Sequence, residues 1–464
     1  MKVAIASSGL GHVARGIETW ARDLAYALVG LDVDATLFAG AQLPGSITSA
    51  SGSSTTRQPA TRQLKIVVIR CLKRNDRIAG ILTRIAPGFL WRWGLKNPYG
   101  WEQLSFWLHL WPILRREQFD IMHVQDPMLA FWCRECRRLG MLKTREILAH
   151  GTEESAVFLS QFDYVQHLAP WHLEQAVSKL NVEMENRSPE NQTADTSTMR
   201  TLNDTDQKRE RTGKTQHLIF TTQVSNEKTI ENRNDDSSSG FKFQVSGFHR
   251  HWFSIPNFVD ADVFRPVKDS HEKAAIRARM GLPVDAFVVG TVAAVKQTHK
   301  RIDHLIREFS MVSSSGLQPF LLIAGARTDE SGELIRLANE LIPGRVRIAL
   351  DLQRDSMPEF YRAMDVFVLP SLFEMMPIAL IEAMASGLPV IVNRHPVLEW
   401  ISGQAGACVD MASEGELTGA LLLCGAAEMT LQRGQVARQR VLDMFSKDAV
   451  VKEITGMYKE VMMQ

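Results

Sequence analysis

The chain has 464 residues, of which 45% are hydrophobic and 23% are charged, the balance of an ordinary globular protein. One compact core rarely holds so long a chain, so we expect two domains of roughly 200 residues each. The formal net charge of +1 gives no overall attraction to nucleic acid, and a nucleic-acid-binding protein is therefore not expected. The five cysteines are scattered and odd in number, which favours a reducing cytoplasm.

The chain opens with a predicted strand that runs into a glycine turn, M-K-V-A-I-A-S-S-G-L-G-H. This segment lacks the longer apolar core and the cleavage site of a signal peptide. No run of the chain approaches the roughly 20 apolar residues that span a bilayer. We therefore expect a cytoplasmic protein.

Strand-like and helix-like segments alternate in the first half of the chain, as is typical of parallel sheets covered by helices. The predicted strands of this half are Lys2–Ala6, Lys65–Ile69, Asp120–Val124, Glu146–Ala149 and Tyr164–Gln166. Residues 45–62, rich in Ser and Thr, are predicted to form a mobile loop. Residues 181–246 are predicted to be a mostly disordered insertion, because so polar a segment cannot offset the entropy lost on ordering.

The second half of the chain repeats the alternation. Its predicted strands are Ala286–Val292, Pro319–Ala324, Arg345–Ala349, Asp365–Leu369, Pro389–Val392 and Ala407–Val409. We assign residues 1–255 to an N-terminal domain, 256–266 to a proline-bounded linker and 267–441 to a C-terminal domain. The predicted fold class is α/β, with two Rossmann-like parallel-sheet domains that face each other across a cleft.

The most informative segment is Ser371–Gly387, S-L-F-E-M-M-P-I-A-L-I-E-A-M-A-S-G. It places Glu374 and Glu382 eight residues apart, on either side of Pro377, which suits the first turn of a helix. Because predicted strands flank the segment, Glu374 falls in a strand-to-helix loop and Glu382 about two turns into the helix. Ligands of open α/β sheets bind at such carboxyl-end loops.

This segment resembles the E-x(7)-E motif of the family-four retaining glycosyltransferases, which have the GT-B fold. The flanking stretch Glu382–Val390, E-A-M-A-S-G-L-P-V, matches the family as well. The resemblance implies that Glu374 contacts the donor sugar and supports charge at the reaction centre, while Glu382 holds the ribose hydroxyls. The N–H groups of Met375 and Met376 at the helix N-terminus add donors for the ligand. Met375 is bulkier than the residue usual in the family.

The stretch 289–306, V-G-T-V-A-A-V-K-Q-T-H-K-R-I-D-H-L-I, resembles the family's G-R-L…K-G segment, in which Arg and Lys grip the donor diphosphate. Lys300 matches the Lys, which implies a catalytic role in neutralising the leaving group. Thr291 stands where the family has Arg. The second positive charge then falls to Lys296 or Arg301.

Further matches to the family lie outside these two segments. Arg15–Glu18, R-G-I-E, resembles the family's G-G-x-E loop, which faces the donor diphosphate and the acceptor; we expect Gly11 and Gly16 to border the donor. The isolated G-x-G lacks the spacing of a dinucleotide-binding fingerprint, which argues against NAD. His150 matches a family histidine that points at the donor sugar, a catalytic role. Glu399 matches the Glu of the family's G-x-P-E loop, an organising role at the donor.

Basic residues and tryptophans crowd residues 62–111. Nine basic residues and one acidic residue lie within residues 62–96, and five tryptophans lie between residues 91 and 111. This pattern fits a peripheral membrane contact or an anionic lipid-linked acceptor. It equally fits tryptophan platforms that stack on sugar rings, or ordinary packing of helices over the first sheet.

The resemblance implies a retaining glycosyltransferase of the hexosyltransferase type, of a kind used in polysaccharide biosynthesis. It would move a sugar from a nucleotide-sugar co-substrate to a carbohydrate or lipid-linked acceptor, either in the cytoplasm or at the inner face of the membrane. No D-x-D follows a predicted strand, and the resemblance implies no metal and no other cofactor. It also implies that the last helix, 442–464, crosses back to the first domain. The alternatives are a nucleotide-sugar epimerase and a non-catalytic GT-B binding or scaffolding protein.

Overall fold

The computed structural model describes residues 1–13, 15–43, 63–88, 90, 94–185, 242–244, 251–312, 319–424 and 427–464. These residues form two α/β domains, each built on a sheet of parallel strands, as the sequence predicts. The loop predicted at residues 45–62 lies outside the described residues, and so does most of the insertion predicted at 181–246.

The first domain is built from the first eight strands and six helices of the chain. Its strands are β1 (Lys2–Ser7), β2 (Asp34–Ala39), β3 (Lys65–Val68), β4 (Ile121–Val124), β5 (Arg145–His150), β6 (Tyr164–His167), β7 (Lys242–Gln244) and β8 (His251–Ser254). Its helices are α1 (Gly16–Gly30), α2 (Arg77–Ile85), α3 (Pro98–Glu117), α4 (Pro127–Arg138), α5 (Ala156–Leu159) and α6 (Pro170–Glu185).

The second half of the chain contains the remaining elements. Its strands are β9 (Phe287–Val292), β10 (Pro319–Gly325), β11 (Val346–Leu350), β12 (Val366–Leu369), β13 (Val390–Asn393) and β14 (Gly406–Val409). Its helices are α7 (Ser270–Arg279), α8 (Ile302–Val312), α9 (Ser331–Leu341), α10 (Met357–Arg362), α11 (Ile378–Ala385), α12 (Pro396–Ser402), α13 (Glu416–Cys424), α14 (Ala427–Met444) and α15 (Lys447–Met463).

The two sheets share one topology. The first runs β3-β2-β1-β4-β5-β6-β8-β7 and the second β11-β10-β9-β12-β13-β14. In both, the first six strands of the domain follow the doubly wound order, so the chain reverses direction across the sheet between β1 and β4 and between β9 and β12. We call the carboxyl ends of these strand pairs the first-domain and second-domain switch points. They are where such folds bind ligands.

Two features of the first sheet differ from the prediction. Strand β2, D-A-T-L-F-A, is absent from the predicted strands, because so short an apolar run near the end of a helix has no distinguishing period. The predicted insertion begins and ends in regular structure, since α6 continues to Glu185 and β7 pairs antiparallel with β8. The parallel sheet therefore acquires an antiparallel edge strand.

The C-terminal helix belongs structurally to the first domain. Helix α15 buries Ile454, Met457 and Val461 in the same hydrophobic core as Trp20 and Leu24 of α1. The chain reaches α15 after a break that follows Met444, so the final helix is shorter than the segment 442–464. Among the described helices, none has the length and hydropathy needed to cross a bilayer.

The two chain crossings between the domains lie side by side. Val259, in the first crossing, accepts a hydrogen bond from the N–H of Lys447 and donates one to Phe445 in the second, both of 2.9 Å. The Nζ atom of Lys447 also donates to Asp260 at 2.7 Å. These contacts hold the crossings together at one edge of the gap between the domains.

Candidate active site

A cleft of about 2220 Å³ lies between the two domains and contains both charged and apolar walls. Eight of the residues predicted from the sequence border it: Gly11, Gly16, Lys296, Lys300, Glu374, Met375, Met376 and Glu382. Residues far apart in the chain therefore meet in one cavity, because the carboxyl ends of both sheets face it.

Lys300 and Glu374 form an ion pair at the second-domain switch point. Lys300 lies in the loop after β9, and Glu374 lies in the loop after the neighbouring strand β12. Their side chains keep 19% and 14% of their surface exposed, so both reach the cleft while partly desolvated. When a charged ligand enters the cleft, each side chain of this pair can give up its partner and bind the ligand instead.

Glu382 lies deeper, on α11, and its carboxylate is nearly fully buried. The Tyr361 hydroxyl donates to its Oε2 atom at 2.8 Å, and Arg354 forms an ion pair with Oε1. Burial raises the pKa of Glu382, although the charge of Arg354 and the hydrogen bonds from Tyr361 and Arg354 act in the opposite direction. The carboxylate therefore already has two partners on the protein.

Arg354 connects the two domains across the cleft. Besides its pair with Glu382, it lies 3.4 Å from Oδ2 of Asp23 on α1, and its guanidinium stacks 5.0 Å from the ring centre of Phe264. Sequence reasoning missed both Arg354 and Tyr361. The one signal for Arg354 is its place in the loop that follows β11, at the carboxyl edge of the sheet.

The loop that carries Met375 and Met376 is held from outside its own domain. The Nε2 atom of His172, on α6, donates to the Met375 carbonyl at 2.8 Å, and the Asn257 side chain donates to the Met376 carbonyl at 3.1 Å. With the carbonyls engaged, the loop is fixed in orientation. Within the described residues, the N–H groups of Met375 and Met376 have no hydrogen-bond acceptor and are available to a ligand.

The first domain contributes its glycine loop to the opposite wall. Gly11 has a φ of +94°, and a Cβ there would lie 2.4 Å from the Ala41 carbonyl oxygen, so only glycine fits. Gly16 begins α1 and faces Ile378 of the second domain, 3.9 Å from where its Cβ would be. The N-terminus of α1 therefore opens onto the cleft, a favourable position for an anion.

His150 does not line the cleft as predicted. Its side chain is buried, with Nδ1 3.2 Å from Nδ1 of His167 and its ring packed against His172. Burial, reinforced by His172, lowers the pKa of His150 to about 3, so the imidazole is neutral. Gly151 borders the cleft instead, and the histidine lies behind that wall.

Arg301 and Glu399 are also not among the residues that border the cleft. Arg301 has a φ of +51°, and its charge acts on His304 and Asp410. Glu399 is exposed on α12. Thr291 lies inside β9 and is fully buried. Of the cations predicted near the diphosphate, Lys296 and Lys300 border the cleft.

A buried polar cluster occupies the first-domain switch point, which sequence reasoning did not identify. Glu102 of α3 accepts hydrogen bonds from His12 Nε2 at 3.1 Å, from Ser8 Oγ at 3.1 Å and from Arg74 Nε at 3.0 Å. Burial opposes ionisation of Glu102, but these His12 and Arg74 contacts outweigh it and lower its pKa to about 2. The carboxylate is therefore charged and fully paired.

Asp126 completes this cluster at the end of β4. It accepts hydrogen bonds from the Ser8 N–H at 3.0 Å and from the Tyr99 hydroxyl. Burial raises the pKa of Asp126. Arg15 and Glu18, which pair at 2.8 Å, connect this cluster to the cleft wall. In the part of the chain that the structure describes, no group of three or more His, Cys, Asp or Glu side chains is arranged to hold a metal ion.

Comparison with solved structures defines the class of fold. The chain superposes on sucrose-phosphate synthase from Thermosynechococcus elongatus with a TM-score of 0.65 and 16% identity, over 99% of this chain and 98% of that one. It superposes on Anabaena HepE in complex with UDP and glucose with a TM-score of 0.61 and 12% identity, over 99% of each chain. The two facing Rossmann-like domains are a GT-B fold.

Sequence comparison shows what part of the chain is similar to. Residues 286–424 match the model described as Glycosyl transferases group 1. The D-inositol 3-phosphate glycosyltransferase of Acidothermus cellulolyticus is 31% identical over 219 residues, which are 44% of this chain and 47% of that protein. The chain thus spans about half the length of such curated relatives. The resemblance to the group 1 glycosyltransferases is confirmed, and the family match lies in the second domain.

Proposed function

We propose that this protein is a retaining glycosyltransferase that transfers a sugar from a nucleotide-sugar donor to a carbohydrate or lipid-linked acceptor. The observation that carries the proposal is the Lys300–Glu374 pair at the second-domain switch point, inside a cleft shared with the glycine loop of the first domain. The GT-B neighbour HepE is described in complex with UDP and glucose, which supports a donor of this class.

The donor diphosphate would be held by positive charge and N–H groups. Lys300 and Lys296 supply the charge, and the free N–H groups of Met375 and Met376 supply donors from the same side of the cleft. The N-terminus of α1 at Gly16 faces them. On donor binding, Lys300 would exchange Glu374 for the diphosphate, and Glu374 would become free to face the sugar.

The transfer itself breaks the bond between the anomeric carbon and the diphosphate oxygen. The acceptor hydroxyl oxygen forms the new bond on the same face of the sugar, and its proton passes to the departing phosphate oxygen. Glu374 stabilises the positive charge that develops on the sugar ring, and Lys300 stabilises the negative charge on the leaving group. We propose that the lysines and the helix N-terminus take the place of a metal ion, and that no other cofactor takes part.

The base and ribose are expected near Glu382. Its carboxylate is buried against Arg354 and Tyr361, so a ribose hydroxyl must share or replace one of these contacts. Arg354 and Tyr361 thus become positioning residues for the nucleotide. We propose further that the enzyme works in the cytoplasm, where nucleotide sugars are the available donors.

A thermal-shift screen against UDP, GDP, ADP, CMP and their sugar conjugates tests the donor class. A ligand at a hundredfold excess over its dissociation constant stabilises the fold by about 2.7 kcal/mol. We expect one base to give a selective shift, and the matching sugar nucleotide to support transfer with retained anomeric configuration, read by NMR. Absence of any shift, together with absence of donor hydrolysis, would reject the proposal in favour of a binding or scaffolding protein. Interconversion of the donor sugar without transfer would favour an epimerase.

A further inference from the structure

Helix α2, R-I-A-G-I-L-T-R-I, presents an unusual surface. Ile78, Ile81 and Ile85 are 60%, 55% and 70% exposed. Their spacing of three and four residues sets them on one side of the helix, and we call them the isoleucine face. Ala79 is the buried residue of this helix. Three large aliphatic side chains exposed on one side of a helix are a candidate surface for binding a partner.

Four cations flank the isoleucine face: Arg70, Lys73, Arg77 and Arg84. All four are exposed, and none forms an ion pair with another residue in the part of the chain that the structure describes. Asp76 is the acidic residue on this segment, and its carboxylate caps the Lys73 N–H at 3.0 Å. An apolar face bordered by unpaired cations is complementary to an apolar surface with an anionic rim.

A lipid surface fits this chemistry better than a second copy of the chain. A symmetric dimer through α2 would set Arg77 and Arg84 near the same residues of the other copy, where like charges repel. The face is aliphatic, whereas protein interfaces favour aromatic anchors in pockets. Interfacial helices combine basic flanks with large apolar side chains in this way.

We propose that α2 docks the protein on an anionic phospholipid bilayer, with the isoleucine face inserted among the acyl chains and the four cations on the headgroups. Helix α2 follows a segment that lies close to the cleft. Arg74, which precedes α2, pairs with Glu102 and lies 3.9 Å from Glu18 of the cleft wall. Docking through α2 would therefore bring the first-domain wall of the cleft close to the membrane, where a lipid-linked acceptor would be presented. The docking itself does not depend on the proposed activity.

Vesicle flotation of the full chain tests the proposal, with phosphatidylcholine vesicles that contain or lack phosphatidylglycerol. Binding is expected with phosphatidylglycerol, and it should weaken at high salt because the electrostatic part is screened. The triple variant Ile78→Ser/Ile81→Ser/Ile85→Ser should lose at least about tenfold in vesicle affinity. The double variant Arg77→Gln/Arg84→Gln should lose the preference for phosphatidylglycerol.

A matched control is Leu423→Ser on α13, because Leu423 is 66% exposed but lies on the second domain. This variant should bind vesicles as well as the wild type does. Unaltered binding of the triple variant, or equal binding to both vesicles, would overturn the proposal. A wild-type dimer in solution that the triple variant converts to a monomer would assign the face to self-association instead. Transfer to a water-soluble acceptor should be unaffected in the triple variant, which separates failed docking from failed catalysis.

Discussion

The two sheets share one strand order, yet the charged groups at their switch points are used differently. At the second-domain switch point, Lys300 and Glu374 form one ion pair, partly exposed to the cleft. At the first-domain switch point, Glu102 and Asp126 are fully buried and satisfied by several protein donors. The same topology thus supplies exchangeable charges on one side of the cleft and a fixed polar framework on the other. The first set is suited to chemistry and the second to holding the wall that faces it.

The largest effect is expected from a substitution in the exchangeable Lys300–Glu374 pair at the second-domain switch point, which we call the exchangeable side of the cleft. Glu374→Gln should lower kcat by roughly two to three orders of magnitude, because it removes one charge that stabilises the transition state. The thermal unfolding midpoint should change little, since the side chain is partly exposed and the substitution preserves its shape. Transfer kinetics and calorimetry measure the two quantities.

Glu399→Gln is the matched control for that variant. Both glutamates were predicted from family motifs in the second domain, but Glu399 is exposed outside the cleft. Its variant should keep near wild-type kcat. Equal losses in the two variants would show that the cleft geometry does not decide which carboxylate acts.

Substitutions in the buried polar framework of the first-domain switch point, the fixed side of the cleft, should change the free energy of unfolding. Glu102→Gln should lower the free energy of unfolding by about 3 kcal/mol, because it leaves the part-buried Arg74 guanidinium without its nearest counter-charge and only the more distant Glu18, 3.9 Å away. Denaturant titration measures this change. Glu117→Gln breaks two more exposed ion pairs, with Lys65 and with Lys2, and should cost less than about 1 kcal/mol for each pair. A loss at Glu102 as small as that at Glu117 would contradict a structural role for the cluster.

Lys300→Ala sharpens the comparison on the exchangeable side. If Lys300 binds the diphosphate, its removal should weaken nucleotide affinity by about tenfold to a hundredfold, the usual contribution of a charged hydrogen bond. Arg301→Gln is the neighbouring control, because Arg301 does not border the cleft. Isothermal titration with the nucleotide found in the screen compares them. An equal loss in both variants would assign the effect to the overall field of the loop.

The features of this molecule that could be predicted are those that depend on one short, continuous segment of the sequence. Glu374 and Glu382 sit in one strand-loop-helix segment, so a short pattern was enough to place the first in the loop and the second on the helix. Arg354, in the loop after β11, reaches Glu382 on α11, and Glu102 on α3 reaches Arg74 in the turn before α2, so tertiary packing alone makes those contacts. The hydrophobic pattern of the sequence contains no signal for these contacts.

A family motif also predicts which residue is present at a position, but not which way its side chain points. Arg301 follows Lys300 directly, but its backbone adopts a positive φ and the residue does not border the cleft. The His150 side chain is turned behind the cleft wall by its packing against His167 and His172. Such orientations depend on neighbours that a single sequence does not reveal.

Per pH unit, the smallest expected effect concerns the pH dependence of the fixed side. His123 is fully buried between Trp20 and Tyr458, and burial lowers its pKa to about 3, even though the nearby Gln166 side chain acts the other way. The unfolded chain protonates this histidine near pH 6.5, so between these two values the unfolded state binds more protons. The folded state is therefore favoured above about pH 6.5, and this contribution is lost as the pH falls toward 3.

One such histidine adds a slope of about 1.4 kcal/mol per pH unit to the free energy of unfolding within that window. His123→Gln should remove that part of the slope, while its lost contact with Tyr458 lowers stability equally at every pH. Denaturant titrations at several pH values separate the two effects. An unchanged slope would mean that His123 is protonated in the folded protein. The first-domain framework would then tolerate a buried charge beside α15.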